Sequence, residues 1–581
     1  MTDQANSVAD PDGGMERFPQ PAWWLGLIGL LLVLSGATLA FSIRTANGTS
    51  VRDIRFSGAN GETMSALLYV PSGVSAAAPA PGILAVHGYL NSRETQDGFA
   101  IEFARRGYVV LSLDQTGHGY SGGAALTSGF GGPDGLRYLR SLPIIDAEQI
   151  GLEGHSMGGW AVLAAAAAMP DAYRSIVLEG SSTGVPFAKE GSAAWPRNLA
   201  LVFSRYDEFS EFMWGARRAS DVILSPKLQK LFNTRDPVIA GLVYGSVASG
   251  TARVLFQPAT THPGNHISPA AIGHSTDWFA STLKGGSPRP SADQIWHWKE
   301  IGTGMGLIGF VLVLLGAFDV LVRTPAFAIL RRNAVPACGM RDGRWWTAFT
   351  LNAAIPALLF FPVFIGAGLL LPPSTLLPQA VTTQITAWTL ASAGLVLLTR
   401  RFVRTPEARA QPQWLSAIGI AVATVAVGYA VFALVDQVFD TDFRFWVVAL
   451  KLPSARQWAI AALYVVPLTL AFLATLQPLC HGMTVRGDRP LVRYGAAALA
   501  LSLGFIVMLG AIYAILFATG RLVTGFDPLS TVIAIEFVPV LVAVAVVTIF
   551  TWQRTGSHRP GALISGLLVT LYVVAGTATQ V

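Results

Sequence analysis

Long uninterrupted apolar runs and short alternating ones divide this chain into two kinds of segment. A bilayer core needs about 20 apolar residues per helix. Nine stretches meet that length: 22–43, 302–323, 346–371, 378–399, 413–436, 457–478, 493–518, 528–552 and 560–578. The first stands alone, and the other eight follow a segment of different texture. There, residues 51–56 and 65–70 alternate as edge strands do, with the turn residues Gly58-Ala59-Asn60-Gly61 between them. Residues 82–86 are continuously apolar, which fits a strand buried on both faces. Helix signals over 94–106, 133–141, 157–169 and from Pro269 then alternate with strand signals over 108–113, 149–153, 175–178, 199–203 and 253–256. Such alternation predicts a mostly parallel sheet covered by helices, with ligands at the carboxyl ends of the strands. The expected fold class is α/β for residues 44–300, joined to an all-α polytopic transmembrane domain over 301–581.

Composition sharpens this division. Only 13% of the residues are charged, against about 25% in soluble domains. Over residues 44–300 basic and acidic side chains occur in equal numbers, so the net charge of +6 belongs to the membrane part and its loops. No basic stripe with interleaved aromatics points to nucleic acid. Arginines recur after alternate spans: Arg323, Arg331, Arg332, Arg341 and Arg344; then Arg400, Arg401, Arg404 and Arg409; then Arg486, Arg489 and Arg493; then Arg554 and Arg559. The loops 372–377, 437–456 and 519–527 are poorer in net positive charge. The positive-inside rule then puts residues 1–21 in the cytoplasm and residues 44–300 and the C-terminus outside. A cleaved signal peptide is the alternative for the first span. The length of its apolar run and the acidic residues before it favour an uncleaved signal anchor.

Two cysteines, Cys338 and Cys480, make no disulfide framework, and their arginine neighbours place them near the cytoplasmic face. Charge within spans is costly, which singles out Glu536 two turns into the eighth span. Asp319 and Asn352 sit near span ends, where an interhelical hydrogen bond accounts for them. No inverted repeat announces a transporter.

The chemistry is concentrated in Gly154-His155-Ser156-Met157-Gly158-Gly159, between a strand and a helix. That context turns a G-x-S-x-G match into a nucleophile elbow. The helix N-terminus and the Met157 N–H are aimed at any oxyanion. His87-Gly88-Tyr89 follows the buried strand, where a second donor belongs, and the Tyr89 N–H is the candidate. Asp207 and His262 complete the order Ser…Asp…His. Glu208 remains a rival acid, and His266 a rival histidine in the same loop. His87, His118 and His155 read as hydrogen-bonding residues of their turns, and His274 as a surface residue of a helix. No cluster has metal-ligand spacing and no glycine loop cradles phosphate, so neither a metal nor another cofactor is expected.

These residues resemble the α/β-hydrolase superfamily, in the branch with dienelactone-hydrolase, acyl-peptidase and esterase-like members. The resemblance covers about 235 of the 581 residues and leaves the spans after residue 301 unexplained. It implies Ser156 as nucleophile, Asp207 as acid, His262 as base and an oxyanion hole at Tyr89 and Met157. One departure is Ser204, where a smaller residue is common before the acid turn. The stretch between Asp207 and His262 is long enough to predict an inserted helical lid over 208–250, made apolar by Phe209, Phe212, Met213 and Trp214. The leading expectation is a membrane-anchored extracytoplasmic serine hydrolase of ester, lipid or acyl substrates. A peptidase, an acyltransferase or a transporter with a hydrolase ectodomain are the alternatives.

Overall fold

The computed structural model describes residues 19–399 and 413–581. The first part of the expected cytoplasmic tail and Arg400, Arg401, Arg404 and Arg409 lie outside the described residues. The chain enters through α1 (Trp23–Arg44) and then builds β1 (Ser50–Ser57), β2 (Thr63–Val70), β3 (Ala80–Val86), α2 (Asp97–Arg105), β4 (Val109–Leu113), α3 (Gly132–Ser141), β5 (Ile145–His155), α4 (Met157–Ala168), β6 (Ser175–Glu179) and β7 (Leu199–Val202). It continues with α5 (Ser210–Trp214), α6 (Pro226–Phe232), β8 (Arg253–Phe256) and α7 (Pro269–Thr282). The eight strands form one sheet in the order β1-β2-β4-β3-β5-β6-β7-β8. The pairs β1–β2 and β2–β4 are antiparallel, and every other pair is parallel.

The period of two in the strands decides what covers each face. Leu84, Val86, Leu111, Leu113 and Leu152 pack with Leu136 and Leu139 of α3 and Ala161 of α4. The intervening Ile83, Ala85, Val110 and Val177 pack with Phe99 and Phe103 of α2 and Phe279 of α7. A strand apolar at every position is thus buried on both faces, as its sequence requires. The expected lid is only partly helical. Helices occupy 210–214 and 226–232, with a 3₁₀ turn over 219–224. Residues 233–252 contain no helix, because Asn233 ends α6 in the left-handed conformation and Gly241, Gly245 and Gly250 interrupt the rest. His274 is also corrected. It is half-buried on α7 and stacks on Phe256 at 4.1 Å.

The remaining helices are α8 (Trp296–Arg323), α9 (Gly343–Leu370), α10 (Ala380–Thr399), α11 (Trp414–Phe439), α12 (Ala455–His481), α13 (Pro490–Thr519), α14 (Pro528–Thr555) and α15 (Arg559–Gly576). Together with α1, they make nine helices among the described residues that are long and apolar enough to cross a membrane. Between α11 and α12 lies a hairpin of β9 (Phe443–Phe445) and β10 (Val448–Leu450). The helix α1 lies against α8 through small residues. A Cβ added at Gly36 would fall 2.3 Å from the Gly302 oxygen, and one at Gly29 2.6 Å from the Gly309 oxygen. Close backbone approach at small residues is how helices associate in lipid, where burial of apolar surface adds little. Asp319 is held between elements. It accepts from the Arg554 Nε at 2.6 Å, the Arg323 Nε at 3.0 Å and the Ala22 N–H at 2.8 Å. Asn352 bonds within its own helix, its Nδ2 donating to the Ala348 oxygen at 2.8 Å.

Buried charge fixes the α/β domain on the helices. Glu94, at the start of the segment leading into α2, meets Lys451 at 3.0 Å and Arg93 at 3.0 Å. Arg444 of β9 reaches across to the Ser92 and Thr95 hydroxyls. Asp97 pairs with Lys299 at 3.1 Å and with Arg44 at 3.6 Å. Burial raises the Glu94 pKa, but the Lys451, Arg93 and Arg444 charges outweigh it and hold the group well below the usual carboxylate range. Removing one partner of a buried ion network leaves the others uncompensated, at a cost of about 3–5 kcal/mol. Glu94→Ala is therefore expected to lower stability by that amount in denaturant unfolding of the detergent-solubilised protein. An unchanged unfolding midpoint would show that the network does not join the two parts.

Candidate active site

Ser156 stands between β5 and α4 with φ 54° and ψ −119°. A positive φ at a residue other than glycine stores strain, of order 1–3 kcal/mol, and such strain clusters at functional sites. Two glycines make the turn feasible. A Cβ at Gly158 would lie 2.0 Å from the Val86 oxygen, and one at Gly154 would lie 2.3 Å from the Gly158 oxygen. The Ser156 N–H donates to the Glu179 oxygen at 2.7 Å, which ties the elbow to β6. Met157 is the first residue of α4, so its N–H has no partner within the helix. Gly88 packs on the elbow, and a Cβ there would be 3.2 Å from the Ser156 Cβ. This contact brings Tyr89, the next residue, beside the serine.

Asp207 and His262 arrive from the ends of adjacent strands β7 and β8. The Tyr206 N–H donates to the Thr260 oxygen at 3.1 Å, and Ser204 donates to Asn265 Oδ1 at 2.6 Å. These bonds align the two loops, so that His262 Nδ1 lies 3.0 Å from Asp207 Oδ2 and 3.1 Å from Oδ1. Burial lowers the His262 pKa, but the Asp207 charge and hydrogen bond, then the Glu208 charge, outweigh it and raise the group above the ordinary value.

Glu208 does other work. Its Oε2 accepts the His262 backbone N–H at 2.7 Å, and its Oε1 accepts the Tyr513 hydroxyl of α13 at 2.7 Å. Burial and then the Asp207 charge push it up to about 7. His266 has no carboxylate partner and stacks on His155 with ring centroids 4.1 Å apart. Burial and then the His262 charge push it down to about 3. The remaining histidines bond locally. His155 Nε2 lies 3.0 Å from the His262 oxygen, His118 Nδ1 lies 2.9 Å from the Thr116 oxygen, and His87 Nε2 accepts from the Gln115 N–H at 3.1 Å.

Ser156 and His262 line one cavity of about 1470 Å³. Its walls come from both parts of the chain. The α/β domain contributes Trp160, Phe209 and Phe212, and the helical part contributes Trp446, Phe526 and Glu536. Two further bonds cross this junction. The Trp446 Nε1 donates to the Pro263 oxygen at 2.8 Å, and the Gln580 Nε2 donates to the Tyr89 hydroxyl at 2.8 Å. Tyr513, Trp446 and Gln580 escape sequence reasoning, because nothing local marks them as neighbours of a loop hundreds of residues away.

Residues 81–212 match the family model described as alpha/beta hydrolase fold. The domain has the α/β hydrolase fold. Among solved structures similar to the chain, a Pyrococcus furiosus esterase is 17% identical over 41% of this chain and 94% of its own, with a TM-score of 0.30. A thermostable carboxyl esterase from Bacillus coagulans is 22% identical over 24% of this chain and 46% of its own, with a TM-score of 0.20. A hypothetical protein from Pseudomonas aeruginosa is 26% identical over 23% of this chain, with a TM-score of 0.21. The chain spans 43% of the length of that last protein. A hydrolase domain joined to nine membrane-compatible helices is therefore the architecture of this protein.

Proposed function

We propose that this protein is an integral-membrane serine hydrolase that cleaves esters through Ser156, His262 and Asp207. The observation that carries this reading is the Asp207–His262 pair, at 3.0 Å, facing the same cavity as the elbow serine. His262 takes the Ser156 proton on Nε2 as the oxygen attacks the acyl carbon. Asp207 fixes the proton on Nδ1 and stabilises the imidazolium. The Met157 and Tyr89 N–H groups stabilise the oxyanion, and loss of one such donor costs about 10²–10³ in rate. His262 then returns its proton to the leaving alkoxide, an acyl-enzyme remains, and water attacks it by the same relay to release the acid.

The raised His262 pKa gives this mechanism a pH signature. The base must be neutral, so kcat/KM is lost as pH falls through that pKa and is retained above it. The acidic limb is expected to have its midpoint above 6.5, the ordinary histidine value. A pH–rate profile on a soluble ester checks this, and a midpoint well below that value would show that Asp207 does not hold the catalytic base. Assay of p-nitrophenyl esters against aminoacyl amides tests the bond class, and faster amide cleavage would replace the esterase reading by a peptidase.

The hydrolase domain is proposed to lie outside the cell. Loops rich in arginine pack on one another: the Arg332 N–H donates to the Arg554 oxygen at 3.3 Å, and Arg341 pairs with Asp488 at 2.7 Å. The loops that touch the hydrolase domain are those around Arg444 and Gly525, where arginine is sparse. Segregation of this kind supports a cytoplasmic arginine side and an extracytoplasmic active site.

A further inference from the structure

A second cavity, of about 1180 Å³, lies within the helical part. It adjoins the catalytic cavity, because Leu90, Asn91, Val447, Ile533 and Glu536 line both. Its mouth is polar, with Ser92, Arg444 and Lys451 beside Asn91 and Glu536. These groups are engaged internally: Lys451 with Glu94 at 3.0 Å, Arg444 with Asp442 at 2.6 Å, and Glu536 accepting from the Tyr572 hydroxyl at 2.7 Å. Beyond the mouth the lining is apolar, with Val381, Trp388, Phe472, Leu501, Phe537 and Val540.

The two cavities follow α14. Pro528 to Glu536 face the catalytic cavity, and Ile533 to Leu541 face the second. At 1.5 Å per residue, the path from Pro528 to Leu541 is about 20 Å long. Half of a bilayer hydrocarbon core, the reach of one lipid tail, is about 15 Å. A third cavity shares Trp446 and Val447 with the catalytic one and Val540, Val569 and Tyr572 with the second. Its wall includes Ile301 and Ile308, which are 41% and 61% exposed on the flank of α8. An apolar route therefore runs from the side of the helices to Ser156.

We infer that the substrate is a bilayer-resident lipid ester, whose hydrocarbon tail lies in the cavity along α14 while its ester bond is held at Ser156. The inference rests on the serine-hydrolase reading and adds the substrate class to it. It also gives the helices a purpose that anchoring does not require. A soluble ester needs neither an apolar chamber beside the elbow nor an opening toward lipid. A hydrocarbon tail gains from both, and each methylene buried is worth roughly fourfold in binding.

The test uses the full chain in lipid nanodiscs and a fluorophosphonate bearing a hexadecyl chain with a terminal diazirine. After the probe reacts, irradiation cross-links whatever surrounds the chain end. An adduct on Ser156 cross-linked to α10 or to the Phe537–Leu541 stretch of α14 is the expected result. A Ser156 adduct cross-linked to Phe187 or Phe212 would overturn the inference and leave the hydrolase reading standing. Failure of Ser156 to react would overturn the reading itself, and the inference with it. Thr389→Phe supplies a second measurement by filling the cavity from α10, which Thr389 lines. The ratio of kcat/KM for a palmitoyl ester over a butyryl ester is expected to fall at least tenfold, and an unchanged ratio would count against the cavity. Where that variant does not fold, the cross-linking on the native chain decides.

Discussion

Replacing Ser156 by alanine is expected to lower kcat for ester hydrolysis by about 10⁶-fold, the scale on which loss of a triad serine acts. The reason lies in the local geometry. The elbow holds one hydroxyl at the head of α4, and the chain spends backbone strain, φ 54°, to keep it there. No neighbour replaces it, since Met157 and Gly158 carry no nucleophile. The alanine keeps the backbone and the elbow glycines, so the variant is expected to unfold at the wild-type midpoint. Residual activity close to wild type would remove Ser156 from the mechanism and with it the acyl-enzyme.

Asp207→Asn is expected to lower kcat by about 10⁴-fold, because the amide favours the wrong imidazole tautomer while preserving shape. Glu208→Gln separates the two neighbouring acids. Glu208 touches the His262 main chain and Tyr513, while Asp207 touches the ring at 3.0 Å. Loss of the Glu208 carboxylate is therefore expected to cost under about tenfold in kcat, in line with a hydrogen bond that positions a loop. It is also expected to move the acidic limb of the pH profile downward, since the Glu208 charge helps to raise His262. The opposite ranking of the two variants would make Glu208 the catalytic acid.

The elbow and the sheet around it were legible in the sequence because their signals are local. The glycines at 154 and 158 stand within two residues of Ser156, and the strands β3 and β4 are apolar runs bounded by turn residues. The apolar spans were legible from length alone. The choice between His262 and His266 was not, since both sit in one loop and only the pairing with Asp207 distinguishes them. The lid was overread: its length suggested helices throughout, while the glycines after Phe232 end them. The hairpin β9–β10 was missed because strands of three residues carry no periodicity. The Tyr513, Trp446 and Gln580 contacts were beyond reach, since they exist only once the helices are docked on the hydrolase domain. Glu536 drew notice as a carboxylate in a span, and its position between two cavities is a tertiary fact.

The central claim is that Ser156 is an active nucleophile facing the outside of the cell. A membrane-impermeant fluorophosphonate applied to intact cells, followed by peptide mapping, tests it most directly. The account predicts an adduct on the peptide containing Ser156 that is absent from the Ser156→Ala variant. An adduct on another residue, or labelling of Ser156 only after the membrane is opened, would contradict it.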